Sequence, residues 1–196
     1  MFTGIIESLG RVVNIEKEGT NYHFTIASDV SDELKIDQSI AHDGVCLTVI
    51  AQTPGQHTVT AIEETMKRSR LGEWEVGSIV NLERAMQPNA RLDGHMVQGH
   101  VDKVGTCVSV EDVDGSWYYR FRYVVTPEHL LVDKGSVCIN GVSLTVVDPV
   151  EDEFSVAIIP YTYEHTNFHQ IEAGKSVNLE FDIIGKYIAK HLALYK

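Results

Sequence analysis

Short apolar alternations, with no long amphipathic stretches between them, run through most of the chain. Gly10-Arg11-Val12-Val13-Asn14-Ile15, Tyr22-His23-Phe24-Thr25-Ile26-Ala27, Cys46-Leu47-Thr48-Val49-Ile50 and His57-Thr58-Val59-Thr60-Ala61-Ile62 are rich in Val, Ile, Thr and Tyr and are bounded by Gly, Asp and Asn. Runs this short, with side chains alternating between two faces, predict strands. Residues 105–110, 117–123, 143–147 and 154–159 repeat the pattern. About six strands per half predict an all-β fold of two similar six-stranded Greek-key antiparallel barrels, closed so that no sheet edge stays free. Helical turns are expected at Ser31–Leu34, at Thr126–Leu131 with Thr126 as cap and Pro127 in first position, and at Glu63–Lys67 and Tyr161–His165. The last segment differs: Ile184, Tyr187, Ile188, His191, Leu192 and Tyr195 recur at threes and fours while Lys186, Lys190 and Lys196 fall elsewhere. That spacing predicts a C-terminal amphipathic helix whose apolar stripe covers its own domain or another subunit.

The pattern is stated twice. Ser39-Ile40-Ala41-His42-Asp43-Gly44-Val45-Cys46-Leu47-Thr48-Val49 returns 97 positions later as Ser136-Val137-Cys138-Ile139-Asn140-Gly141-Val142-Ser143-Leu144-Thr145-Val146. Val80-Asn81-Leu82-Glu83 matches Val177-Asn178-Leu179-Glu180 in the same register, and at an offset of 95 Met1–Glu7 faces Met96–Asp102. One repeat of half the chain means two copies of one domain. The Pro- and Gly-bearing stretch 85–94 marks the junction, giving domains over 1–90 and 91–183 followed by the helix over 184–196. Unequal copies imply unequal sites.

Charge narrows the ligand. With 16 basic against 28 acidic residues in 196, the net charge of −12 argues against nucleic acid or an anionic membrane as partner and favours a small molecule. No apolar run approaches the ~20 residues of a spanning helix, and the first residues lack a leader pattern, so a cytoplasmic location is expected. Cys46, Cys107 and Cys138 form no CxxC spacing, so neither a disulfide framework nor a zinc site is indicated.

Where the copies differ, chemistry is expected. Alternation sets Cys46 with Thr48, and Ser143 with Thr145, on the face opposite Leu47 and Leu144. Cys46 replaces Ser143, and only a thiol becomes a strong nucleophile near neutral pH, although buried cysteines are commonly inert. Gly44 and Gly141 are explained by a tight turn. His100 stands where the first copy has Ile5, and imidazole is the natural acid or base at neutral pH. A metal pair with His95 would need a bend, because residues five apart on an extended segment face opposite ways. His165 and His169 lack any HExxH pattern and read as surface or packing residues. Lys134 opposes Asp37, and Asp182 opposes Ala85, where capping of the final helix is the competing role.

Met1-Phe2-Thr3-Gly4-Ile5-Ile6-Glu7, Gly94-His95-Met96-Val97-Gln98-Gly99-His100-Val101-Asp102 and the doubled Gly-x-x-Leu-Thr blocks together resemble the riboflavin synthases of the two-barrel type, over essentially the whole chain. The resemblance implies dismutation of two molecules of 6,7-dimethyl-8-ribityllumazine by four-carbon transfer, giving riboflavin and 5-amino-6-(ribitylamino)uracil. It implies no cofactor and no metal. It also implies a homotrimer held by the terminal helix, with sites between subunits, and leaves association with a lumazine synthase open. One pocket is expected from Gly4, Ile5, Ile6, Ser39, Cys46, Leu47 and Thr48 with Thr60, Ala61, Ile62, Glu63, Glu64 and Thr65. The other is expected from Gly99, His100, Val101, Ser143, Leu144 and Thr145 with Ala157, Ile158, Ile159, Pro160, Tyr161 and Thr162, and with Lys134 reaching in from the side. His100 is the expected proton-transfer residue, with Cys46, Ser143, Asp182 and Ser39 assisting. Two departures stand out: Asp93 replaces a usual glycine, and Lys67-Arg68-Ser69-Arg70 is more basic than the family pattern. A non-catalytic lumazine- or flavin-binding protein on the same scaffold is the alternative, set against the polar residues retained in both copies.

Overall fold

A computed structural model describes residues 1–195. The first half forms β1 (Ser8–Glu18), β2 (Asn21–Ala27), β3 (Ser39–His42), β4 (Val45–Thr53), β5 (Gln56–Ala61) and β6 (Ile79–Arg84), closed into an antiparallel barrel in the order β1-β2-β5-β4-β3-β6. A short helix α1 (Glu63–Arg68) follows β5. The second half forms β7 (Lys103–Asp112), β8 (Trp117–Arg122), β9 (Ser136–Ile139), β10 (Val142–Thr145), β11 (Val147–Val150), β12 (Glu153–Ile158) and β13 (Ser176–Phe181), with α2 (Pro160–His165) after β12. Its sheet runs β10-β9-β13-β7-β8-β12-β11. The seventh strand is not an addition. β10 and β11 are the counterpart of β4 interrupted at Val146, so the two ends of the sheet are consecutive in the chain and the ring closes through its backbone.

Local sequence explains the shared geometry. β3 and β4 are joined by Asp43-Gly44 (φ 46° and 78°), β9 and β10 by Asn140-Gly141 (φ 46° and 83°). A two-residue hairpin with both positions left-handed is the tight turn that Asp-Gly and Asn-Gly favour. A second demand falls on these glycines, because a Cβ on Gly44 would lie 2.8 Å from the Gly141 nitrogen: the two turns meet at the contact between barrels. Bulges recur as well, between Val12 and Asn14 in β1 and between Cys107 and Ser109 in β7.

The expected helical turns are partly corrected. The first is a 3-10 helix at Asp29–Glu33. Residues 126–131 make only a turn, in which the His129 N–H donates to the Thr126 carbonyl at 2.9 Å, and the Thr126 hydroxyl is engaged by the His129 Nδ1 at 2.9 Å instead of capping a helix. The final helix α3 covers Ile183–Leu192 and tightens to 3-10 over Ala193–Tyr195, while Lys196 lies outside the described residues. Ile184, Tyr187, Ile188 and Leu192 are exposed on it. No helix among the described residues is long and apolar enough to cross a membrane.

The barrels are joined by a nearly twofold-symmetric polar network. The Asn81 N–H donates to Asp43 Oδ1 and the Asn178 N–H to Asn140 Oδ1, both at 2.8 Å. Across the interface, Asn81 Nδ2 donates to the Asn140 carbonyl (2.8 Å) and Asn178 Nδ2 to the Asp43 carbonyl (2.9 Å). The Arg70 and Asn167 N–H groups donate to the Asn178 and Asn81 side chains at 2.7 Å. Buried amides satisfied this fully specify one docking of the two barrels, since any other would strand them.

Candidate active site

Both walls carrying Cys46 and Ser143 face outward. Along β4, Val45, Leu47 and Val49 are buried in the barrel interior, while Cys46 is half-buried and Thr48 exposed. β10 repeats this, with Val142 buried, Ser143 half-buried and Thr145 exposed. Leu47 is thus a core residue, while Leu144 is half-buried and packed against the core of its barrel. Ser39 pairs with Thr48 across β3 and β4, adding a hydroxyl beside the Cys46 wall.

Two extended segments cover these walls, and they cross. The Ser143 N–H donates to the Gly4 carbonyl and the Cys46 N–H to the Gly99 carbonyl, both at 2.8 Å. Residues 4–6 therefore lie on the second barrel, where Ile6 packs against the core, and residues 99–101 lie on the first, where Val101 packs, while the ends of each segment stay bonded to their own half. This corrects the expected grouping. Gly4, Ile5 and Ile6 belong with Ser143, Leu144 and Thr145, and Gly99, His100 and Val101 with Cys46, Leu47 and Thr48. Repeat register could not reveal the exchange, because a crossed and an uncrossed pair have the same internal homology.

Buried carboxylates hold the crossing. Glu83, at the end of β6 in the first barrel, accepts from the Thr3 N–H (2.6 Å), the Thr3 hydroxyl (2.9 Å) and the Gly4 N–H (2.9 Å). Glu180 of β13 accepts from the N–H groups of Gln98 (2.6 Å), Gly99 (2.9 Å) and His100 (2.9 Å). Burial raises the pKa of both carboxyls, and these donors oppose the rise. Between the clamps Phe2 and Val97 exchange backbone hydrogen bonds of 2.7 and 3.1 Å, with both side chains buried beside Ala41, Cys138 and Cys46. Positive φ at Gly4 (80°) and Gly99 (81°) turns each segment onto its wall. There a Cβ would fall 2.5 Å from the Cβ of Ser143 or Cys46. Glu83, Glu180 and Phe2 were not expected as site residues, though the repeated Val-Asn-Leu-Glu held the signal for the two carboxylates.

The pocket over the first barrel is lined by Cys46, Thr65 and Arg68 on one side and by Gly99, His100 and Val101 on the other. Thr65 comes from α1, whose end is fixed by the Ser69 hydroxyl donating to the Thr65 carbonyl at 2.7 Å. Thr166 makes the same bond to Thr162 at 2.6 Å in the second half. Glu63 and Glu64 are exposed and ion-paired with Lys67 and Arg68. In β5 and β12, Ala61 and Ile158 point inward, whereas Thr60 is half-buried and Ala157 exposed. Ile62, Ile159, Pro160 and Tyr161 follow at the exposed strand ends. Over the second barrel His95 Nδ1 lies 2.6 Å from Ser143 Oγ, with the charge of Asp182 acting on the ring. Asp182 also accepts from the Ile184 N–H at 2.9 Å and so caps α3.

Lys134 occupies an exposed left-handed turn (φ 62°), its N–H bonded to the carbonyl of Val146, the residue that follows the Ser143 wall. Other candidates stand apart. Burial raises the thiol pKa of Cys107 to about 11 and that of Cys138 far above the ordinary value, leaving both as packing residues. His165 stacks on Tyr161, and His169 Nδ1–H donates to the Thr166 carbonyl.

The lumazine binding domain profile matches residues 3–85 and again 98–182. The chain is 43% identical to the riboflavin synthase of Actinobacillus pleuropneumoniae over 98% of its own length and 90% of that protein. It is 40% identical to that of Bacillus subtilis (strain 168), with the same coverage, and 40% identical to that of Mycobacterium tuberculosis over 97% of each chain. In fold it is similar to LumP complexed with riboflavin (TM-score 0.85, 22% identity, covering 93% of this chain and 100% of that one). It is also similar to LumP complexed with 6,7-dimethyl-8-(1'-D-ribityl) lumazine (TM-score 0.83, 22% identity, 92% and 98%). Full-length identity at this level, carried on two matched domains, makes this chain a member of the riboflavin synthase family of lumazine-binding enzymes.

Proposed function

We propose that the chain carries out its riboflavin synthase chemistry by dismutating two molecules of 6,7-dimethyl-8-ribityllumazine, one held against the Cys46 wall and the other against the Ser143 wall. The observation that carries this reading is the crossing itself: two equivalent walls receive segments of unequal chemistry, so identical substrates meet different side chains. Over Cys46 the segment brings His100, an imidazole in reach of solvent, and over Ser143 it brings Ile5. His100 serves as the proton-transfer group for the substrate methyl, while Cys46, Ser143, Asp182 and Ser39 assist addition and elimination. Thr48, Thr65, Thr145 and Thr162 supply hydroxyls for ring or ribityl oxygens. Orientation provides much of the acceleration, because holding two rings in attack geometry removes an entropic barrier of up to ~7–11 kcal/mol.

The two walls of one chain have separate linings, so the rings meet when the first pocket of one subunit faces the second pocket of another. The exposed apolar stripe of α3, with Ile184, Tyr187, Ile188 and Leu192, supports a homotrimer built on that helix. Lys134, whose N–H is bonded to the residue after Thr145, reaches the Ser143 wall from the side. The domains proposed are 1–90, 91–183 and 184–196. The test is incubation of the purified protein with 6,7-dimethyl-8-ribityllumazine while absorbance and fluorescence are followed. One riboflavin should form for every two lumazines consumed, and His100→Gln should lower the rate at least ~100-fold, the usual worth of a general acid or base. Binding without turnover would make the protein a chromophore carrier and defeat the proposal.

A further inference from the structure

His95 and His100 are the ends of one extended stretch, and the crossing sends them to different pockets. His100 lines the Cys46 pocket, whereas His95 returns to the second barrel. The His95 N–H donates to the Thr3 carbonyl at 3.1 Å, and a Cβ at Gly94 would collide with that same carbonyl while standing 3.0 Å from Ser143 Oγ. Glycine at 94 thus permits the approach that seats the half-buried imidazole on the serine. The Ser143 backbone is held separately by the Gly4 carbonyl, so the 2.6 Å contact to Nδ1 governs only the hydroxyl. In the first pocket Cys46 has its N–H on the Gly99 carbonyl, and among the described residues no imidazole is hydrogen-bonded to its sulfur.

We propose that His95 is the positioning residue of the second pocket, acting through Ser143 by setting whether its hydroxyl offers a proton or a lone pair to the bound ring. With the ring proton on Nε2, Nδ1 accepts from the Ser143 hydroxyl and leaves the oxygen lone pairs for the pocket. With the proton on Nδ1, the imidazole donates to Oγ and the hydroxyl hydrogen turns to the ligand. A doubly protonated ring permits only the second arrangement. The charged groups near this imidazole are Asp182, whose carboxylate favours the protonated ring, and Glu83, which lies beyond Thr3 on the N–H groups of residues 3 and 4. Burial outweighs Asp182 and lowers the His95 pKa, which favours the neutral ring.

The inference rests on the dismutation reading, and its test begins from a wild-type enzyme that turns over; absence of wild-type turnover would count against that reading first. His95→Ala should lower kcat ~10- to 100-fold with KM changed less than ~3-fold, a loss in the range of an oriented hydrogen bond to a reacting group. His95→Asn places an amide near the Nδ1 position. It should recover most of the rate while shifting the acid limb of the kcat–pH profile, and it carries the test if the alanine variant does not fold. Ser143→Ala combined with His95→Ala should be no slower than Ser143→Ala alone, because the imidazole has nothing left to set. An acid limb unchanged in His95→Asn, an unaltered kcat in His95→Ala, or losses that multiply in the double variant would each overturn the proposal.

Discussion

Where the first barrel closes over a buried histidine pair, the second carries Ile139 and Phe154 at the corresponding positions. His42 and His57 meet through their Nε2 atoms at 2.9 Å, and His57 Nδ1 lies 2.8 Å from the Ser31 hydroxyl. With His42 Nδ1 donating to the Ile40 carbonyl, both rings are neutral and every ring nitrogen is used. Burial pushes His57 down to about 4 and His42 well below its ordinary value. At the interface the contrast is repeated: Asp43 and Arg70 pair at 3.1 Å where the second half has Asn140 and Asn167. Both barrels keep one backbone plan, so fold depends on turns, bulges and apolar alternation, whereas titratable groups were free to diverge. The first barrel accordingly carries buried titratable groups, His42, His57 and Asp43, that the second lacks at the matching positions.

The largest effect should come from the clamps. Glu180→Gln replaces one of two oxygens, one accepting from Gln98 and the other from Gly99 and His100, with an amide, and each buried donor left without a partner costs ~1–3 kcal/mol. Denaturant unfolding should show a loss in that range, and ligand binding at the Cys46 pocket should weaken. Glu83→Gln should cost as much and yet damage the Ser143 pocket, on the other barrel.

Next is acid sensitivity. A histidine whose folded pKa is depressed stabilises the fold above its unfolded pKa, and that stability is lost as pH falls through the folded value. For His57, moving from 6.5 to about 4, the loss between those limits is ~3 kcal/mol. Replacing His42 by Ile and His57 by Phe gives the first barrel the residues of the second and should flatten its unfolding midpoint over that range. Asp43 works in the opposite sense. Burial, outweighing Arg70, raises its carboxyl to about 6, so its contribution is full below its unfolded pKa and is lost as pH rises through the folded value. Asp43→Asn should therefore make the rise of stability from pH 4 to 6 steeper, read by denaturant melts at fixed pH values. The smallest effect is expected from Cys46→Ser, which makes the two walls alike. Turnover should fall by less than ~10-fold, because proton transfer through His100 remains.

Strand alternation, the Asp-Gly and Asn-Gly turns and the repeat register made both barrels and their outward-facing polar walls legible from residues alone. The exchange of segments was not legible, because pairing 1–7 with either wall leaves every local preference satisfied; the backbone bonds from Ser143 to Gly4 and from Cys46 to Gly99 decide it, while Glu83 and Glu180 anchor each segment to its own half. Five residues apart on an extended segment, His95 and His100 face opposite ways, which tells against a shared metal. That geometry is correct, and it is what sends one imidazole to each pocket. The break at Val146 was hidden as well, since Leu144-Thr145-Val146-Val147 alternates like an unbroken strand.

The crossed arrangement is most directly tested by the alkylation rate of Cys46, the half-buried thiol of three, with and without saturating riboflavin. Bound flavin should protect Cys46 in the unmodified protein and in Glu83→Gln, and should lose its protection in Glu180→Gln. Protection lost in Glu83→Gln and kept in Glu180→Gln would mean that residues 1–7 cover the first barrel and that the crossing is wrong.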